Sequence, residues 1–242
     1  MKRRNGFTLI ELMTVLGVIG LLATILIPSF AKVLDLSRRS ACKSNLKQLV
    51  MAVVAYKDEH DDFLPPHSME AGATPSRWWG YDAVGRANDT DAIEPEGDIW
   101  KYLKKREVYR CPKMVSLGWE FNAARVGYGY NAWFLGWYDG VNTGPPGDEG
   151  TGVTPDVRCN FSYIKNASQL IVFADSAYRG SGARGASYCM WYPQAGAHVD
   201  MRHDDTGCVA FFDGSARTFR GEEINPTAAE PRLRYWDPRQ GE

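Results

Sequence analysis

The sequence predicts an α+β fold: one long N-terminal helix whose first half crosses a membrane and whose second half packs on a loop-rich antiparallel β-sheet. Three observations predict it. An apolar run covers residues 7–27 with a single charge, Glu11. Apolar residues at spacings of three and four then recur along residues 46–53. Beyond residue 63 the chain is rich in aromatic and turn residues, with two short apolar runs each followed by an aspartate.

The first six residues, Met1-Lys2-Arg3-Arg4-Asn5-Gly6, carry three positive side chains. The run that follows is long enough, at about 1.5 Å per residue, to cross a bilayer core of about 30 Å. Basic residues ahead of a span hold the N-terminus in the cytoplasm. The rest of the chain is then expected on the far side, as a single-pass inner-membrane protein with a periplasmic or extracellular domain. A secretory signal peptide has a shorter apolar region and a small-residue cleavage site after it; here Thr24-Ile25-Leu26-Ile27-Pro28 follows. A plain anchor accounts for length and orientation but not for Glu11, because a carboxylate inside a span costs roughly 2.5–3.5 kcal/mol. Cleavage after Gly6 makes Phe7 the first residue, with a free amine, and Glu11 the fifth. The carboxylate then has a partner in the amine of a neighbouring copy, and a buried polar group of this kind sets register.

Gly6-Phe7-Thr8-Leu9-Ile10-Glu11-Leu12 resembles the prepilin processing and methylation motif of type IV pilins and type II secretion pseudopilins. The resemblance implies a pilin-like fold and a structural subunit, not an enzyme. It implies cleavage after Gly6 and methylation of the Phe7 amine by a prepilin peptidase. It also implies assembly, through the N-terminal helix and Glu11, with copies of itself and other pilin-like subunits in a type II secretion or type IV pilus-like filament. Pro28 falls where that family commonly has a helix-kinking proline.

The domain boundaries expected are a leader over 1–6, a membrane and assembly helix over 7–27, an amphipathic continuation over 28–62, and an extracytoplasmic globular domain over 63–242. In the continuation, Val33, Leu34, Leu46, Leu49, Val50, Val53 and Tyr56 form the face expected to meet a sheet. Asp61-Asp62-Phe63-Leu64-Pro65-Pro66 ends the helix. Residues 98–106 predict a short helix, and 127–131 a strand or turn with close backbone approach. Residues 170–174 predict a strand closed by Asp175, and residues 179–186 a loop. Residues 208–212 predict a strand whose hairpin partner is 215–220, because Asp213-Gly214 is a strong turn signal.

His203, nine residues, then Asp213-Gly214 is similar to the H-X9-DG domain that accompanies prepilin-type leaders. Cys42-Lys43-Ser44-Asn45-Leu46-Lys47-Gln48, Phe63-Leu64-Pro65-Pro66, Arg110-Cys111-Pro112 and Tyr128-Gly129-Tyr130-Asn131 also resemble those families. This resemblance implies no particular chemistry for the domain.

No cofactor is expected from the residues, with one candidate set aside. Asp204, Asp205 and Asp213 are oxygen donors suited to calcium, and Asp204-Asp205-Thr206-Gly207 reads equally as a plain turn. His203 and Asp213 flank a strand and are a candidate brace across its ends. The five cysteines, at 42, 111, 159, 189 and 208, contain no C-x-x-C pair. Outside the cytoplasm they leave up to two disulfides open, against buried free thiols, the reading favoured for Cys208. No G-x-S-x-G elbow or H-E-x-x-H pair supports catalysis. The near-neutral charge of -1 gives no basic face for nucleic acid. Trp78, Trp79, Trp133, Trp137 and Trp191 are candidates for a glycan-binding platform, against the commoner role of aromatic core. A membrane-anchored binding module for a glycan or surface ligand is the alternative function.

Overall fold

The computed structural model describes residues 8–65, 68–69, 76–77, 80–81, 98–115, 127–135, 159–180, 183–186, 197–225 and 233–236. The first element is α1 (Leu9–Glu59), 51 residues that run unbroken through Pro28. At 1.5 Å per residue α1 is about 76 Å long. Two halves of this helix meet different surroundings. Leu9 to Leu36 carries its large apolar side chains exposed all round. From Cys42 onward one face disappears into the head: Cys42, Leu46, Leu49, Val50, Val53 and Tyr56 are buried. Their spacing of four, three, one, three and three residues keeps them in one helical stripe. Val33 and Leu34, expected on that face, are instead 61% and 47% exposed. At about 100° per residue neither falls on the stripe that Leu46 and Val53 define, so both lie away from the face that meets the head.

The helix ends as its sequence directs. Asp61 and Asp62 take positive φ of 51° and 65°, a conformation Asp tolerates better than most residues. Asp62 N–H donates to the Lys57 carbonyl, and the Lys57 ammonium reaches the Asp58 and Asp62 carboxylates. Leu64 then enters the core, and its N–H donates to the Cys159 carbonyl.

Three two-residue strands, β1 (Ser68–Met69), β2 (Ser76–Arg77) and β3 (Gly80–Tyr81), form a small antiparallel sheet. Within the 98–106 segment expected to be helical, α2 (Trp100–Leu103) is one turn, and Lys104 closes it at φ 49°. A 3-10 turn (Arg106–Tyr109) leads to Cys111 and α3 (Pro112–Val115). β4 (Tyr128–Tyr130) and α4 (Ala132–Leu135) follow.

The main sheet is built on β5 (Ile171–Gly180). Its first half pairs antiparallel with β4 on one side and with β8 (Thr206–Phe211) on the other. β9 (Ala216–Arg220) extends the order to β4-β5-β8-β9. The second half of β5 pairs with β6 (Ala183–Ala186) and β7 (Ala197–Val199). Two expectations are corrected here. Asp175 does not close its strand but sits in the middle of a ten-residue one, fully buried. Residues 179–186, expected as a loop, contribute the ends of a β5–β6 pairing. Small residues such as those of Ala183–Ala186 weaken strand propensity, and pairing to a long central strand overrides it.

The β8–β9 hairpin turns where Asp-Gly predicted. Asp213 Oδ1 accepts from Ser215 N–H at 2.8 Å, and Gly214 takes φ 81°. α1 lies across β5, β8 and β9 and also touches α2 and α3. The core is therefore one helix stripe against one sheet face, sealed by Ile224 from α5 (Gly221–Ile224) and Trp236 from α6 (Leu233–Trp236).

Candidate functional site

Two arrangements stand out: the start of α1 and a buried polar cluster where α1 enters the head. At the start, Thr8 caps the helix and Glu11 reaches back to it. The Glu11 Oε2 atom accepts from Thr8 N–H at 2.9 Å and from Thr8 Oγ1 at 2.7 Å, and Glu11 N–H donates to Thr8 Oγ1 at 3.4 Å. This is a capping box, which satisfies helix-end donors reciprocally. The sequence signal was present in Thr8-Leu9-Ile10-Glu11 and was missed, because Glu11 was read only as a partner for another chain. Gly6 and Phe7, the expected processing residues, lie outside the described residues, as do Trp78, Trp79, Trp137, Cys189 and Trp191. Trp133 falls in α4, with its side chain outside the description.

The cluster assembles Cys42 of α1, Cys111 between the 3-10 turn and α3, Asp175 of β5, and His203 ahead of β8. Their donor atoms all lie within 4.8 Å of one another, and all four residues are buried. Cys42 Sγ is 2.7 Å from Cys111 Sγ. His203 Nε2 is 3.4 Å from Cys111 Sγ and 3.4 Å from Asp175 Oδ2. Asp175 Oδ2 also accepts from Cys208 N–H at 2.7 Å.

Neighbours fix this geometry. Gly127 packs its backbone directly on Cys111, where a Cβ would collide with the Cys111 nitrogen. That is the close approach expected of 127–131. Arg202 is buried beside the cluster, donating to Asp200 Oδ2 at 2.8 Å, to the Ser176 carbonyl at 2.6 Å and to the Gly127 carbonyl at 3.1 Å. Its Nε is 3.8 Å from Asp175 Oδ1. Arg39 of α1 donates to the His203 carbonyl at 3.1 Å. Asn45 of α1 donates to the Arg110 carbonyl at 3.1 Å, and Tyr128 Oη donates to the same carbonyl at 3.3 Å.

The electrostatics are those of a dense buried set. Burial opposes ionisation of Cys111, but hydrogen bonds from Cys42 and His203 and the nearby Arg202 charge bring its thiol down to about 4. The hydrogen bond to Cys111 and burial push the Cys42 thiol up. Burial, aided by the Cys111 charge, raises Asp175 to about 7 against the pull of Arg202 and His203. Burial, the Asp175 charge and a bond to it raise the Cys208 thiol.

The expected roles of the H-X9-DG residues are redistributed. His203 faces inward to Asp175, whereas Asp213 is exposed and serves the β8–β9 turn. Six residues of strand, about 17 Å, separate them, so they form no brace. Asp204 and Asp205 are the exposed central residues of a turn closed by bonds between His203 and Thr206, with φ of 54° and 57°. That strand also keeps Asp204 and Asp205 away from Asp213, beyond the reach of one calcium ion with bonds of about 2.3–2.6 Å. Cys42, Cys111 and Cys208 are buried free thiols.

Comparison with known proteins adds the lineage. A family model described as a prokaryotic N-terminal methylation motif matches residues 1–27, and one described as a protein of unknown function (DUF1559) matches residues 36–132. The type IV major pilin protein PilA of Myxococcus xanthus is 42% identical over 94 residues, covering 37% of this chain and 41% of that protein. The type II secretion system core protein G of Pseudomonas aeruginosa is 30% identical over 111 residues, 42% of this chain and 75% of that protein. The competence protein ComGC of Halalkalibacterium halodurans is 38% identical over 56 residues, 23% of this chain and 55% of that protein. The chain spans 41% of the length of the first of these relatives. No solved structure matches it. The chain belongs to the type IV pilin-like family of pilins and pseudopilins, and its N-terminal helix is apolar enough to span a membrane.

Proposed function

We propose that this chain is a pseudopilin: a structural subunit held in the inner membrane, cleaved after Gly6 and methylated at Phe7 by a prepilin peptidase, then packed through α1 into a type II secretion or type IV pilus-like filament. Its head, residues 63–242, lies outside the cytoplasm.

The observation that supports this most is the bare stem. Seventeen large apolar side chains between Leu9 and Leu36 are exposed along it. Leaving such a side chain in water forgoes roughly 1.5–3 kcal/mol. The stem therefore belongs in lipid, or against the stems of other copies. Glu11 suits both states. Thr8 satisfies Glu11 Oε2 in the single chain. Oε1 is left for the Phe7 amine of a neighbour, which would be gained only on assembly.

The test substitutes Glu11→Val in cells that carry the filament machinery. The expected outcome is a chain cleaved normally but absent from sheared or secreted filaments. Incorporation equal to the wild type would remove Glu11 from the assembly mechanism.

A further inference from the structure

We propose that Cys42, Cys111, Asp175 and His203 form a structural zinc site that fastens the stem to the head. The inference stands on the head's own geometry and holds whichever filament the subunit serves.

Zinc is matched by donor type and number. Two thiolates, one imidazole and one carboxylate make a four-donor set of the kind that selects this ion. A tetrahedral site with Zn–S of about 2.3 Å and Zn–N or Zn–O of about 2.0–2.1 Å has S–N edges near 3.6 Å and N–O edges near 3.3 Å. The Cys111–His203 and His203–Asp175 separations are both 3.4 Å. The thiols, 2.7 Å apart, need to open to about 3.8 Å. Rotation about their χ1 bonds supplies that shift. Zinc binding displaces the thiol protons, which leaves a dithiolate.

The surroundings fit an ion better than an empty polar pocket. The atoms that would ligate, His203 Nε2 and Asp175 Oδ2, face Cys111 and each other inside the core. Two thiolates and a carboxylate around a divalent ion leave one negative charge, and the Arg202 guanidinium lies beside it. Asp175 Oδ2 is oriented by the Cys208 amide, the kind of outer support that ligating carboxylates use. A disulfide between Cys42 and Cys111 is the competing chemistry; it would leave His203 paired only with Asp175.

Every position is filled by protein and none is open to solvent, so the site is closed and structural. Cys42 comes from α1, and the other three donors come from the head. Binding energy in such a site is folding energy, because the unfolded chain does not present the set. Here it would resist separation of the stem helix from the sheet, the joint that carries load when subunits are pushed or pulled by their anchors.

The experiment uses the full chain, purified in detergent without chelator or reductant. Metal content is read by plasma mass spectrometry, and thiol state by intact mass under denaturing, non-reducing conditions. One zinc per chain is expected, with Cys42 and Cys111 both alkylatable once the ion is removed. Cobalt exchange should give the visible spectrum of a tetrahedral dithiolate site. Cys111→Ser and His203→Gln should lose both signals, whereas Cys159→Ser should keep them. Because the cobalt spectrum is read on the wild type, the test does not depend on the variants folding. A Cys42–Cys111 disulfide with no zinc, or zinc retained in both Cys111→Ser and His203→Gln, would overturn the proposal.

Discussion

Replacing Leu46 by alanine should cost the head several times more stability than replacing Leu34, although both are leucines of the same helix. Leu46 is fully buried between α1 and the sheet, whereas Leu34 is 47% exposed on the stem. Core Leu→Ala changes cost about 2–5 kcal/mol, the lost transfer energy plus a cavity that closes only in part. Leu46 has buried neighbours on its own helix at Cys42, Leu49 and Val50, and sheet strands opposite. Those neighbours are held by the helix and the ladder, so the cavity collapses little and about 3 kcal/mol is the expected loss. For a domain of 150–250 residues, 1 kcal/mol shifts Tm by about 2–4 °C, so Leu46→Ala should melt about 6–12 °C lower. Leu34→Ala should change Tm by less than about 2 °C, as substitutions away from packed regions stay within about 0.5 kcal/mol. Thermal unfolding of the full chain in detergent, followed by tryptophan fluorescence, measures both. Equal shifts for the two variants would refute the division of α1 into a free stem and a core-forming half.

Two further outcomes follow from the same packing. Asn131 is fully buried and donates to the carbonyls of Ile171 and Trp236, both at 3.0 Å; Asn131→Ala should cost about 1–3 kcal/mol by orphaning them, read by urea unfolding, with the 233–236 segment exchanging amide hydrogen faster. Asp35 pairs with Lys113 of α3, whose hydrogen bond draws the carboxyl below its ordinary value. A depressed carboxylate stabilises the fold above the unfolded value and loses that contribution as pH falls through the folded one. Wild type should therefore exceed Asp35→Asn in Tm at pH 7, and the difference should shrink as pH drops below 3.8.

How far the sequence was legible depended on whether the signal was local. The stripe from Leu46 to Tyr56 repeats every three or four residues and was readable as one buried face. The apolar runs before Asp175 and Asp213 were readable as strands, and Asp213-Gly214 as a hairpin. Asp175 was misread because a lone carboxylate after apolar residues looks like a strand end. Only the fold supplies its compensation, from Arg202, His203 and the Cys208 amide. The polar cluster was hidden for the same reason. Cys42 and Cys111 are 69 residues apart, and Cys111 and His203 are 92 apart, so no spacing rule joins them. A trace was nonetheless present. Two of the short segments noted for their resemblance each contain one of these cysteines, and the H-X9-DG motif begins at His203. Asn45 of α1 binds across the same joint to the Arg110 carbonyl and to Tyr128, whereas Asn131 ties the end of β4 to β5 within the head. The segments that contain Cys42, Cys111 and Tyr128 thus meet where α1 joins the head, a relation that sequence order alone does not express.

The central claim is that the stem is a processed assembly element rather than a simple anchor. Mass spectrometry of the N-terminal peptide, taken from the chain recovered with its native machinery, tests it most directly. The account predicts a peptide that begins at Phe7 with a methylated amine. A peptide that retains Met1 to Gly6, or one that begins beyond Ile27, would contradict it.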